Sequence, residues 1–282
     1  MLAVVAALLA GLRGTALTPI RAHIARISVN GLITEDRKLT EAIDAMADDS
    51  RVKAVILSID SPGGSVAGGE SLHDAIARVS ANKPVVAVMR GLAASAGYMI
   101  AVPASRILAR SSTLTGSIGV LLQTGEASGL LGKLGLSAET VRSGPLKDEP
   151  SLTRPLSADG KAVLQGLVDD MYEQFVGMIA SGRHMDPARV HALADGRAYT
   201  GRQALAAGLV DAIGGEREAK DWLAKEKNVS ASLPVEELSI RGLTSRALGG
   251  ELGWLLQDVW KSLVSQSVSL DGAVAVWQPS RS

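Results

Sequence analysis

Pro84-Val-Val-Ala-Val-Met89 runs into Gly91-Leu-Ala-Ala-Ser95-Ala-Gly-Tyr-Met-Ile100-Ala101. The apolar, valine-rich run predicts a strand buried on both faces. The small residues after it predict that the strand ends at Gly91 and that a helix begins within a few residues. Ser95 falls at this junction and has two readings. As a helix N-cap it would contribute about 1 kcal/mol. As a nucleophile it would sit where backbone N–H groups favour developing negative charge.

Upstream, Val52 to Ile59 (VKAVILSI) is a second near-continuous apolar strand, followed by Asp60-Ser-Pro-Gly63-Gly64-Ser65. His23 to Val29 alternates and is rich in β-branched residues, so it reads as a first strand closed by Asn30-Gly31. Helices are predicted over Lys38 to Met46 and Ser71 to Val79. Downstream, Arg106 to Ala109, Gly119 to Leu122 and Glu139 to Ser143 read as short strands. Strands alternating with helices imply an α/β fold with parallel pairings and right-handed crossovers.

Farther along, Gly144-Pro145-Leu-Lys147-Asp-Glu-Pro150 reads as a loop. Ser157 to Arg183 is the longest helical pattern, with one apolar stripe from Val163 to Ile179. Asp186-Pro187 opens another helix, with Asp as N-cap and Pro at the first position. Asp195 to Asp211 reads as loop, short helix, glycine cap and short strand. Leu233 to Ile240 is expected as an edge strand. Glu251 to Val264 is amphipathic, with Leu252, Leu255, Leu256, Val259, Trp260 and Leu263 on one face. It is expected to dock on the domain or a sister subunit, the alternative being a membrane interface. Three regions follow: an apolar N-terminal segment over 1–21, a main domain over 22–228, and a C-terminal extension with an amphipathic helix over 229–282.

Composition narrows the chemistry. The 282 residues are 46 % hydrophobic and 21 % charged, which suits a packed globular chain. Formal net charge is zero and no basic block stands out, so nucleic acid is not an expected partner. There are no cysteines and only four histidines, His23, His73, His184 and His191. That removes a thiol nucleophile, and no carboxylate–histidine cluster has metal-ligand spacing, so neither metal nor cofactor is expected. The apolar run Met1 to Leu12 is shorter than the ~20 residues a bilayer span needs. It is read as the remnant of a membrane anchor or as an apolar helix that binds a neighbour.

A serine nucleophile needs a base, and no histidine sits in a site-like setting. A desolvated lysine can serve, because burial disfavours the ammonium. Lys147 lies in a Gly-Pro loop beside Leu146. Two glycines after a buried strand let backbone N–H groups converge, as half of an oxyanion hole requires, although a plain Pro-Gly turn reads the same way.

Five motifs then occur in order: Asp60-Ser-Pro-Gly-Gly64, Ala94-Ser95-Ala-Gly-Tyr98, Leu114-Thr-Gly-Ser117-Ile-Gly-Val120, Ser143-Gly-x-x-Lys147-Asp148, and Asp195-Gly-Arg-x-Tyr199-x-Gly201-x-x-Ala204. From about residue 24 to 225 the sequence resembles the signal peptide peptidase A family of serine peptidases, in its short single-domain bacterial form. The resemblance implies a ClpP/crotonase-like fold of stacked ββα units. It implies Ser95 as nucleophile, Lys147 as general base, Ser117 as the residue that positions the lysine, and the amides of Gly64 and Ala96 as oxyanion donors. It also implies apolar peptide substrates such as signal-peptide remnants, and a homo-oligomeric ring whose sites combine serine and lysine from neighbouring subunits. The expected location is the bacterial inner membrane, with a cytoplasmic one as alternative.

Two departures stand out. Ala96 replaces a glycine that the family usually carries, and its methyl is expected to narrow the approach to the backbone. The family's longer anchor is expected to be shortened or absent. The competing readings are an acyl-CoA hydratase or isomerase on the same fold, and a catalytically silent scaffold for membrane proteins.

Overall fold

The computed structural model describes residues 21–238 and the backbone of 273–276. The apolar segment before residue 21, the amphipathic helix expected over 251–264 and most of the C-terminal extension therefore lie outside the described residues.

The first strands form where the sequence predicts them: β1 (His23–Asn30) from its alternating, β-branched pattern, and β2 (Val52–Ser61) and β4 (Val85–Ala94) from their apolar runs, paired in parallel in the order β1-β2-β4. The runs of β2 and β4 are continuous because these strands are covered twice. Ala25, Ile27, Val55, Leu57 and Ala87 pack in the core shared with α1 (Arg37–Asp48) and α2 (Val66–Asn82). Ile24, Ala54, Ile56, Val86 and Val88 pack on the opposite face with Ala219 and Leu223 of α8 (Glu216–Lys227).

The sheet continues in parallel through β5 (Arg106–Ala109) to β9 (Ala212–Ile213), and β10 (Val235–Glu237) adds to β1 as a parallel edge. At the far end of β4, β6 (Leu114–Gly116) pairs in parallel with Leu92–Ala94 and carries β8 (Ala198–Thr200) antiparallel on its other side. A separate three-stranded sheet has the order β3-β11-β7, from Gly63–Ser65, Ala273–Val276 and Leu121–Leu122.

Three local expectations are corrected. β4 does not end at Gly91 but runs to Ala94, because β6 and the end of β2 offer partners there. Glu139 to Ser143 is not a strand: it has no ladder partner among the described residues, and Val141 is fully exposed. The long helix, α5 (Ala158–Arg183), forms with Ser157 capping Gly160 N–H, but its stripe is not buried throughout. Phe175, Val176 and Ile179 enter the core, whereas Val163 and Leu167 are about half exposed. The first half of α5, with α4 (Ser128–Lys133) and the loop carrying Lys147, forms an arm outside the core. Beyond α5, Asp186 caps α6 (Pro187–Leu193), and a Thr200–Gln203 capping box opens α7 (Gly201–Ala207).

Candidate active site

Ser95 leaves the end of β4 through a tight corner. Its N–H donates to Gly116 C=O at 2.8 Å, extending the β4–β6 ladder by one bond. Its C=O accepts from Tyr98 and Met99 N–H at 2.8 and 2.9 Å, which starts α3 (Ala96–Met99). Between these bonds Ser95 is held at φ 55°, ψ −120°. Such a backbone costs a non-glycine residue roughly 1–3 kcal/mol and persists only where neighbours fix it. The side chain makes no cap bond, so the helix-cap reading of the hydroxyl does not hold. Ser95 is 1 % exposed and its Oγ has no hydrogen-bond partner among the described residues.

Tyr98 locks the corner from below. Its hydroxyl donates to Leu209 C=O at 2.8 Å and the ring is fully buried. That burial pushes the phenol well above its ordinary ionisation range. The 209–211 segment is tied to α5 by the Arg183–Asp211 ion pair at 2.5 Å. Tyr98 lies within the Ala94–Tyr98 motif, which by itself marks no role for it. The one available signal was a large aromatic inside a run of small residues.

The Gly-Gly turn arrives from the other side. Ile33 N–H donates to Gly63 C=O at 2.8 Å and Ser65 N–H donates to Ile33 C=O at 2.9 Å. A Cβ on Gly64 would stand 1.8 Å from Ile33 O, so only glycine fits. Alternation along β3 turns the Gly64 N–H to the opposite edge, away from Ile33. Ser65 caps α2 by accepting from Gly68 N–H.

Ala96 is fully buried, and as the first residue of α3 it keeps its N–H outside the intrahelical ladder. Its methyl lies against α2: a Cβ on Gly69 would stand 3.0 Å from Ala96 Cβ. The methyl thus has a slot made by a glycine in the facing helix, which revises the expectation that it crowds the approach to the backbone. Ser117 follows Gly116, is nearly buried, sits at φ 49°, and donates its N–H to Arg197 C=O at 2.9 Å.

The fold therefore gathers Ser95, Ala96, Gly64 and Ser117 at one end of the sheet. Lys147 is not brought to them. It lies exposed in a turn closed by its own N–H to Gly144 C=O at 3.2 Å, and it does not bond the Ser95 hydroxyl of its own chain. Beside it, Arg154 binds Glu149 at 2.7 Å and Asp148 at 3.3 Å. The Ser157 and Arg154 contacts hold the Glu149 carboxyl below its usual range.

A family model described as Peptidase family S49 matches residues 77–230, which include Ser95, Ser117 and Lys147. The chain belongs to peptidase family S49. A Clp protease model also matches residues 26–118, which bears out the ClpP-like α/β fold. Among S49 relatives, a candidate protease of Synechocystis sp. is 40 % identical over 208 residues, 73 % of this chain and 75 % of that one. A candidate signal peptide peptidase SppA of Enterococcus faecium is 33 % identical, over 90 % of this chain and 76 % of that one. A chloroplastic serine protease SPPA of Arabidopsis thaliana is 32 % identical, over 75 % of this chain and 31 % of that one. The resemblance to signal peptide peptidase A read from the motifs is borne out, and this S49 member is a serine-type peptidase. Membership selects the peptidase over the acyl-CoA and silent-scaffold readings.

Proposed function

We propose that Ser95 is the nucleophile, that Lys147 of a neighbouring copy is its general base, and that the Gly64 and Ala96 amides bind the oxyanion. The observation that carries this reading is the Ser95 hydroxyl: buried, on a strained corner, and without a partner among the described residues. A buried polar group left unpaired is destabilising by about 1–3 kcal/mol. It calls for a function that needs a free hydroxyl aimed at incoming groups.

In the reaction, Lys147 as a neutral amine takes the Ser95 proton while Oγ attacks the substrate carbonyl. The oxyanion forms against the two amides. The protonated lysine then gives its proton to the leaving amine, and an acyl-enzyme remains. Water, deprotonated by the same lysine, hydrolyses the ester and restores Ser95. Ser117 holds the amine in line. Removing one oxyanion donor in comparable sites raises the barrier by about 3–4 kcal/mol.

Assembly explains where the lysine comes from. The arm from β7 to the middle of α5 displays Leu130, Leu134, Val141, Leu152 and Leu167 to solvent and leaves Lys147 outward. An apolar surface of this kind favours burial against a second copy, which would bring that Lys147 to a Ser95 not its own. Substrates are apolar peptides such as signal-peptide remnants, and the enzyme works at the inner membrane. Among the described residues no helix is long and apolar enough to cross a membrane, so attachment would use segments outside them.

The test is mass-spectrometric localisation of a serine-acylating probe on the assembled protein. Labelling at Ser95 that is lost in Lys147→Ala supports the pair. Labelling elsewhere, or undiminished labelling without Lys147, would sink it.

A further inference from the structure

We infer that Arg154 is a positioning residue for the reaction: it clamps the two residues that follow Lys147 and so fixes where the arm presents that amine. This rests on the reading of Lys147 as the base for a neighbouring Ser95. Every nitrogen of the guanidinium engages one short stretch. Nη1 donates to Glu149 Oε1 at 2.7 Å, Nη2 to Asp148 C=O at 2.6 Å, and Nε to Asp148 Oδ2 at 3.3 Å. A three-point hold of this kind uses the planar fork of arginine, which an ammonium cannot supply.

The clamp is joined to the core. The Glu149 side chain is 4 % exposed and lies against the first turn of α5. Its slot exists because residue 160 is glycine: a Cβ there would stand 2.6 Å from Glu149 Cδ. A carboxylate suits a helix N-terminus, where the free N–H groups carry partial positive charge. The far half of α5 is buried through Phe175, Val176 and Ile179. A path of direct contacts therefore runs from the core through α5, Glu149, Arg154 and Asp148 to Lys147.

Little else holds the lysine in its own chain. Its turn is closed by Lys147 N–H donating to Gly144 C=O at 3.2 Å and Glu149 N–H donating to Leu146 C=O at 3.3 Å, both at the weak end of the range. Leu146 and Leu152 on either side are exposed. Ion pairs between near neighbours in a surface loop add little to folding. A catalytic group displaced by about 1 Å, in contrast, can lose about a hundredfold in rate. The clamp thus serves the position of the amine more than the stability of the fold.

The experiment uses full-length Arg154→Ala and Arg154→Lys, with wild type, Lys147→Ala and Ser95→Ala. Peptide turnover and the rate of Ser95 acylation by a small serine-reactive probe are measured on the assembled proteins. In both Arg154 variants kcat and acylation should fall together, tenfold to about a hundredfold, with KM within about twofold of wild type. Arg154→Lys keeps the charge without the fork, and it carries the test if Arg154→Ala does not fold. Mixing either variant with Ser95→Ala should restore turnover, because the Ser95→Ala copy brings a correctly clamped lysine. Mixing with Lys147→Ala should restore none. Wild-type kcat in the Arg154 variants, a change in KM alone, recovery with Lys147→Ala, or no recovery with Ser95→Ala would each overturn this inference and leave Lys147 as the base. Undiminished Ser95 acylation in Lys147→Ala would remove the base assignment itself, and this inference with it.

Discussion

Ala96 and Gly69 are a matched pair: the methyl of one occupies the space left by the missing side chain of the other, with a built Cβ on Gly69 only 3.0 Å from Ala96 Cβ and 2.9 Å from Met99 Sδ. The residue after Ser95 is therefore set by a helix more than twenty positions upstream. Gly69→Ala should push on α3 and displace the Ser95 corner. Overpacking of this kind costs about 1–3 kcal/mol, partly offset by the ~1 kcal/mol helix preference of alanine over glycine. Turnover should fall and urea stability should drop, and adding Ala96→Gly should restore both. Non-additive recovery in the double-mutant cycle is the signature to look for. Independent, additive effects would show that the two residues do not share the space.

The Ser95 corner stores strain for the sake of the hydroxyl. Ser95→Gly removes both the positive-φ penalty and the orphan oxygen, so it should abolish peptidase activity and raise stability by about 1–2 kcal/mol. Ser95→Ala keeps the strain and should be inactive with a smaller gain. Chemical denaturation of the three proteins gives the order. A Ser95→Gly protein less stable than wild type would mean that the hydroxyl contributes to folding.

Much of the central sheet could be read in the sequence because its strands are buried on both faces. Double burial writes itself as unbroken apolar runs, which place β2 and the first half of β4, while β1 shows as an alternating, β-branched stretch. The end of β4 was missed because Leu92-Ala-Ala94 pairs with β6, a partner that comes twenty residues later and leaves no local mark. The arm misled for the complementary reason. Glu139 to Ser143 has strand-like residues, and the first half of α5 carries an apolar stripe, yet neither is covered within one chain. Periodicity records that a face is meant to be buried, not by which chain. Ordered motifs point to Ser95, Gly64 and Ser117 as candidates. Tyr98 and Gly69 carry no such mark, because their contacts cross between segments distant in sequence.

Tyr98→Phe deletes the hydrogen bond to Leu209 C=O and leaves that carbonyl without its donor. The loss should be about 1–2 kcal/mol of stability, with reduced turnover because the corner loosens. The pH dependence adds a second check. Burial raises the folded-state pKa of Tyr98, so its contribution is fully present below the unfolded value near ~10 and is lost as pH rises above that. Wild type should therefore destabilise above pH ~10 more steeply than Tyr98→Phe. Identical alkaline profiles would show that the phenol ionises as easily in the folded state as in the unfolded one.

Lys147→Ala subunits and Ser95→Ala subunits should each be inactive when assembled alone and should regain activity when mixed. The reason is geometric: the lysine is on the exposed arm and makes no bond to the serine of its own chain, so on the proposed reading a working site takes one residue from each copy. In a random mixture some interfaces combine the intact serine of one parent with the intact lysine of the other, and those alone should turn over peptide. Activity per subunit should also fall on dilution, following dissociation of the assembly rather than unfolding. Peptide cleavage by the mixed protein, measured against each parent at equal total concentration, decides the matter. Mixtures no more active than their parents would place both residues of each site in a single chain, reached by a movement of the arm instead.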